Sequence, residues 1–212
     1  MGKKTLIVFT RYPEVGKTKT RLIPAIGAEK ATILQKELTE KTLQTVLQVK
    51  EDLDLKIYFS GGNLKLFEDW LGKDLAYFPQ EGKDLGEKMF SAIETNYFMS
   101  PQGAIIIGID CPFITPDILL QGLRALDNHD MVIGEAEDGG YYLIGLRKPK
   151  KELFTNINWG TDEVFQRTMQ KAKNIGLKVY NNLPVLRDID RPEDLDYFLS
   201  QGEGRPSHYH KV

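Results

Sequence analysis

Arg11, Lys17, Lys19 and Arg21 crowd into the segment Phe9-Thr10-Arg11-Tyr12-Pro13-Glu14-Val15-Gly16-Lys17-Thr18-Lys19-Thr20-Arg21-Leu22, directly after the apolar run Leu6-Ile7-Val8-Phe9. Guanidinium and ammonium groups match phosphate oxygens, and open α/β sheets bind ligands at the carboxyl ends of their strands. Residues 1–21 hold six basic side chains (Lys3, Lys4, Arg11, Lys17, Lys19, Arg21) against one acid, Glu14, whereas the whole chain of 212 residues carries −2. The excess is therefore local, and it reads as a phosphate cradle or as a solvated basic loop. Gly16-Lys17-Thr18 imitates the end of a P-loop, but that pattern needs glycine at position 11, which is arginine. Pro24 and Gly27 also deny it the helix whose N-terminus completes such a nest. The sequence argues against a P-loop NTPase.

Carboxylates mark three further places. Asp110 follows the strongly apolar Ala104-Ile105-Ile106-Ile107 and precedes Pro112; it suits a divalent cation or a turn cap. Asp138 opens Asp138-Gly139-Gly140-Tyr141, where glycines permit close backbone approach, or an ordinary hairpin turn. In Asp188-Ile189-Asp190-Arg191-Pro192-Glu193-Asp194-Leu195 the pair Asp190 and Glu193 fits a capping box, with Pro192 in the first helical turn. Asp188 and Asp190 share one side of any extended segment, which permits metal ligation. Cys111 has no histidine near it in sequence and reads as a packing residue.

These groups need elements to hold them. Apolar positions at helical spacing predict a helix over 28–49, and Leu55–Phe59 alternates as a strand. A short helix over Leu64–Leu71, a strand over Leu75–Pro79 and a helix over Gly86–Phe98 follow. Ala104–Gly108 is the expected central strand, and Thr115-Pro116-Asp117 starts the next helix with a capping hydroxyl. Asp130–Ala136 and Tyr141–Leu146 are separated by four residues, too few for a crossover, so the two cannot be adjacent parallel neighbours. A helix over Asp162–Ile175, a strand over Leu177–Tyr180 and a last helix from Pro192 through Leu199 complete the chain. The class is α/β, with βα units first and a mixed sheet later.

Composition narrows the partners. A pI near 6 gives no global field for nucleic acid or anionic membrane, and no apolar run approaches the ~20 residues of a membrane span. The lone cysteine cannot form an internal disulfide, which suits a reducing cytoplasm. The length suits one domain over residues 1–202, and the polar end 203–212, with His208-Tyr209-His210, is expected to be a disordered tail.

Taken in order, these blocks resemble a bacterial GT-A-like family of nucleotide-diphospho-sugar transferases, the arsenosugar-biosynthesis-type glycosyltransferase group, related to molybdenum-cofactor and 2-phospho-lactate nucleotidyltransferases. Gln80-Glu81-Gly82-Lys83-Asp84-Leu85-Gly86-Glu87-Lys88-Met89 and Trp159-Gly160-Thr161 belong to the match, which runs from residue 5 to about 199. The resemblance implies a single-domain, three-layer sandwich around a mostly parallel mixed sheet. It implies that Arg11, Lys19 and Arg21 hold the nucleotide diphosphate and that Asp84, Leu85 and Gly86 lie near the base or ribose. Asp110 and Asp190 would be ligands for Mg²⁺ or Mn²⁺, with Asp110 also catalytic and Asp138 on the sugar or acceptor side. The implied substrates are a nucleotide or nucleotide sugar and a small-molecule acceptor. One departure concerns the glycine-rich loop of the related nucleotidyltransferases, which Phe9-Thr10-Arg11-Tyr12-Pro13 replaces here. The alternatives are a nucleotidyltransferase releasing pyrophosphate and a non-catalytic nucleotide-binding domain.

Overall fold

The computed structural model describes residues 2–200; the expected tail lies outside the described residues. Strand β1 (Lys4–Arg11) is followed by a single-turn helix α1 (Ile23–Ile26) and the long α2 (Ala28–Leu47). Then come β2 (Leu53–Ser60), α3 (Leu64–Leu71), β3 (Ala76–Pro79), α4 (Leu85–Met99), β4 (Ala104–Ile107) and α5 (Pro116–Ala125). The second half adds β5 (Met131–Glu135), β6 (Tyr141–Leu146), α6 (Val164–Asn174), β7 (Val179–Tyr180) and α7 (Pro192–Ser200).

The strands form one sheet in the order β3-β2-β1-β4-β6-β5-β7. β1 pairs in parallel with β2 and β4, and β6 runs antiparallel to both β4 and β5, with Ile106 opposite Ile144 and Ile133 opposite Ile144. The short link after β5 thus makes an antiparallel neighbour, as its length requires.

The period of two along the strands separates two cores. Leu6, Val8, Ile57, Ile105, Ile107 and Leu143 face Leu34 and Leu38 of α2, Leu119 of α5 and Leu195 of α7. Ile7, Phe9, Ile106, Ile133 and Ile144 face Met89 and Ile93 of α4 and Phe165 and Ala172 of α6. With helices on both faces, all four β4 residues are buried, which is why that strand reads as a continuous apolar run. The expected three-layer α/β sandwich is the observed one.

Caps set the helix starts. Thr115 accepts the Ile118 N–H at 3.3 Å, and Asp84 accepts the Glu87 N–H at 2.8 Å. The capping box expected at Asp190 and Glu193 is not formed. Asp194 instead reaches back and accepts the backbone N–H groups of Asp190, at 3.3 Å, and Arg191, at 2.9 Å. An acid one helical position further on covers the Asp190 N–H that Glu193 would have taken, and the next one as well, and the Asp190 side chain points elsewhere, to Arg21.

Candidate active site

A cleft of about 570 Å³ opens where β1 and β4 end. The basic segment leaves β1 at Arg11 and crosses the cleft before α1. Opposite it, the chain from Leu183 to Asp190 is pinned to the sheet by a bridge between Ala136 and Leu186 and by the Ile189 N–H, which donates to the Asp110 carbonyl at 2.7 Å. That last bond sets Asp188 and Asp190 beside Asp110. The cleft is lined by four cations, Arg11, Lys17, Lys19 and Arg21, and four acids, Asp110, Asp138, Asp188 and Asp190.

Lys19 is the pivot. Its side chain is 3% exposed, its ammonium lies 2.6 Å from Asp110, and it also donates to the Ile189 carbonyl. Its backbone is left-handed, with φ +47°, a conformation that side chains other than glycine adopt at a cost of order 1 kcal/mol. The buried ion pair over-determines that conformation. Arg21 is half exposed and donates to Asp190 at 2.6 Å. Lys17 turns outward to Glu14 at 2.6 Å, and Arg11 is exposed at the cleft edge.

Sequence reasoning undervalued Asp188. It is half-buried, and its Oδ1 is enclosed with no hydrogen-bond partner. Burial pushes its carboxyl up to about 8, with Asp110 and Asp138 adding to the rise and Lys19 opposing it. The available signal was the Asp188-x-Asp190 spacing on an extended segment; what the spacing cannot give is burial. Asp138 accepts the Gly140 N–H at 2.8 Å, so it shapes the hairpin turn and faces the cleft at once. Cys111 is buried, and its thiol is pushed well up by that burial and then by Asp188, so it is a packing residue.

The Asp84-Leu85-Gly86 turn divides its duties. Asp84 caps α4 and lies outside the cleft lining, whereas Leu85 lines it. Gly86 sits under the Phe154 carbonyl and the Trp159 ring, where an added Cβ would come to 2.4 and 2.7 Å. Trp159 thereby reaches the cleft, with Tyr141 edge-on at 6.5 Å between ring centroids. Among the described residues, no group of three or more His, Cys, Asp or Glu side chains is preassembled to hold a metal. Asp110 and Asp190 are each turned to a basic side chain instead.

Gly139 holds the turn of Asp138 in place. Its φ is +85°, and a Cβ there would lie 2.1 Å from the Asp162 carbonyl oxygen. Gly139→Ala is expected to cost at least about 2 kcal/mol, combining the left-handed backbone with a clash against rigid main chain. Gly108→Ala, whose Cβ would meet nothing nearer than 4.0 Å, should stay within about 0.5 kcal/mol of wild type. Urea unfolding of the two variants checks the contrast; equal stabilities would contradict it.

A parallel sheet with one antiparallel strand and a charged cleft at the ends of β1 and β4 defines the nucleotide-diphospho-sugar transferase fold, and the protein falls in the transferase class. The chain belongs to the DUF2064 family, described as "uncharacterized protein conserved in bacteria", whose profile matches residues 34–161. A protein from Desulfovibrio desulfuricans G20, described as a "putative nucleotide-diphospho-sugar transferase", is 32% identical, with a TM-score of 0.89 over 97% of this chain and 90% of that one. Two further solved structures share the fold at low identity. The inositol-1-phosphate CTP transferase from T. maritima is 16% identical, with a TM-score of 0.62 over 95% of both chains. The 4-diphosphocytidyl-2C-methyl-D-erythritol synthase from Anaerococcus prevotii DSM 20548 is 14% identical, with a TM-score of 0.59 over 95% of this chain and 97% of that one. No curated protein matches the chain. No helix among the described residues is long and apolar enough to cross a membrane.

Proposed function

We propose that the protein is a divalent-metal-dependent glycosyltransferase that uses a nucleoside-diphosphate sugar as donor. The observation that carries this reading is the double pairing of the β1–α1 loop with cleft carboxylates, Lys19 with Asp110 and Arg21 with Asp190. Each pair couples a phosphate-binding cation to a carboxylate suited to Mg²⁺ or Mn²⁺. The donor set fits such an ion: all the cleft acids are hard oxygen ligands, and Asp188 buries one oxygen that nothing in the protein satisfies. Asp110 and Asp190 would hold the metal, with Asp188 behind them. The ion supplies neutralisation of the diphosphate and of the charge that grows on it as it leaves.

The chain's own residues do the rest. Arg21, the more exposed of the two cations, exchanges Asp190 for a diphosphate oxygen, and Lys19 stays to fix Asp110 and the Ile189 carbonyl. The acceptor hydroxyl forms the new bond to the sugar's anomeric carbon as the bond from that carbon to the diphosphate oxygen breaks. The hydroxyl proton passes to Asp138. No protein nucleophile is required, which agrees with the inert Cys111. The single buried thiol also suits a cytoplasmic enzyme.

The rival reading is nucleotidyl transfer from a nucleoside triphosphate, in line with the name of the T. maritima CTP transferase. A thermal-shift panel separates the two. UDP or GDP, or their sugars, with Mn²⁺ should raise the melting temperature more than the matching triphosphates. At a 100-fold excess over Kd a ligand contributes about 2.7 kcal/mol, a readily measured shift. A larger shift with CTP or GTP, together with pyrophosphate release, would establish the rival.

A further inference from the structure

We infer that the acceptor side of the cleft takes an uncharged, hydroxyl-bearing molecule with an apolar or aromatic face and rejects phosphorylated acceptors. The inference rests on the transferase reading above for the identity of its ligand as an acceptor. Charge is the first ground. Every basic side chain lining the cleft comes from residues 11–21, and four acidic side chains share the lining with those four cations. Lys19 and Arg21 are already paired with Asp110 and Asp190, and Lys17 with Glu14. A donor diphosphate draws on those cations and on a divalent ion. A second phosphate would then lie beside Asp138 and the donor's own charge, and the lining holds no cation outside that one loop to meet it. Sites that take two phosphorylated substrates need a second set of cations, and the cleft lining contains none outside the one loop.

The wall itself is the second ground. Trp159, Tyr141, Met89 and Val164 line the cleft on the side of α4 and α6, and the first three join the apolar core on that face of the sheet. Ring faces of this kind bind aromatic rings and the C–H faces of aliphatic or sugar rings. Asp138 stands three residues before Tyr141 on the turn that leads into this wall, placing a proton acceptor for a hydroxyl next to an apolar surface. A hydroxyl on an apolar body matches both halves; a phosphate ester matches neither.

The chain has two tryptophans, and Trp70, hydrogen-bonded to Glu40 at 2.8 Å, does not line the cleft. Trp70→Phe therefore makes Trp159 the sole indole reporter. We would titrate this variant with 2-phenylethanol, 2-phenylethyl phosphate and glycerol 3-phosphate, with and without UDP and Mn²⁺, following Trp159 emission. The alcohol should shift the emission, and its phosphate ester should bind at least about tenfold more weakly, as like-charge contacts dictate. Glycerol 3-phosphate should leave the signal unchanged. Thr161→Arg, a cation added at a partly exposed position of the same wall, should reverse the preference toward the phosphate ester. A phosphate ester that binds wild-type protein as tightly as the alcohol overturns the inference, and so does silence of Trp159 toward both. If UDP fails to stabilise the protein while the alcohol still shifts Trp159, the donor reading falls and the preference of the wall stands. If UDP stabilises it and the phosphate ester wins, the reverse holds.

Discussion

Asp110→Asn is expected to abolish Mn²⁺-dependent stabilisation by a nucleoside diphosphate and to lower turnover by about 10²-fold or more, the scale on which charge-stabilising groups act in transfer chemistry. Asparagine keeps the shape of the side chain and removes the full charge that would bind the ion. The variant also loses stability, for a reason the structure adds. Lys19, at 3% exposure, keeps its ammonium 2.6 Å from Asp110, and neutralising Asp110 leaves that ammonium with neutral acceptors only, the Ile189 carbonyl and the new amide oxygen. A fully buried broken pair costs about 3–5 kcal/mol. Asp110 is about half exposed, so water screens its end of the pair and an expected loss of about 1 kcal/mol is reasonable. Isothermal titration with UDP and Mn²⁺, run beside urea unfolding, separates the two effects. Nucleotide and metal binding equal to wild type would remove Asp110 from the site, whatever the stability.

Most of the fold was legible in the sequence because local and global signals agree. Leu6-Ile7-Val8-Phe9 and Ala104-Ile105-Ile106-Ile107 are unbroken apolar runs, and both became central strands buried on two sides. The short link between β5 and β6 ruled out a parallel adjacent pair by geometry alone, and the two pair antiparallel. Elements resisted reading where little side-chain pattern exists. Strand β7 shrinks to Val179–Tyr180 because it pairs only with β5 at the sheet edge, and α1 is a single turn closed by Gly27.

The site was legible in its charges and not in their pairings. The basic loop and the acidic positions are visible as residue types at strand ends. Sequence cannot show that Lys19 is buried against Asp110, because the pair is 91 residues apart and depends on a left-handed backbone at Lys19. Nor can it show that Asp194 takes over the helix cap, freeing Asp190 for Arg21. Asp188 was hidden for the same reason: its importance comes from burial beside Asp110 and Asp138, and burial of a carboxylate runs against every compositional expectation.

Lys19→Met should be the most damaging single change in the cleft, destabilising the protein by about 2–3 kcal/mol and removing nucleoside-diphosphate binding with it. Methionine has a similar length and fills the buried channel, so the loss reports charge and not a cavity. Without the ammonium, Asp110, Asp138, Asp188 and Asp190 face one another with their only deeply buried cation gone, and the Ile189 carbonyl loses its donor. The figure sits below the full range for a buried pair because solvent reaches Asp110. A double-mutant cycle isolates the interaction. If Lys19 acts through Asp110, Lys19→Met should cost less in an Asp110→Asn background than in wild type, by at least about 1 kcal/mol of coupling, since neighbours that share an ion pair are not additive. Urea unfolding of the four proteins in metal-free buffer provides the numbers. Additivity within about 0.5 kcal/mol would show that Lys19 stabilises the loop independently of Asp110, and the ion pair would lose its place as the pivot of the site.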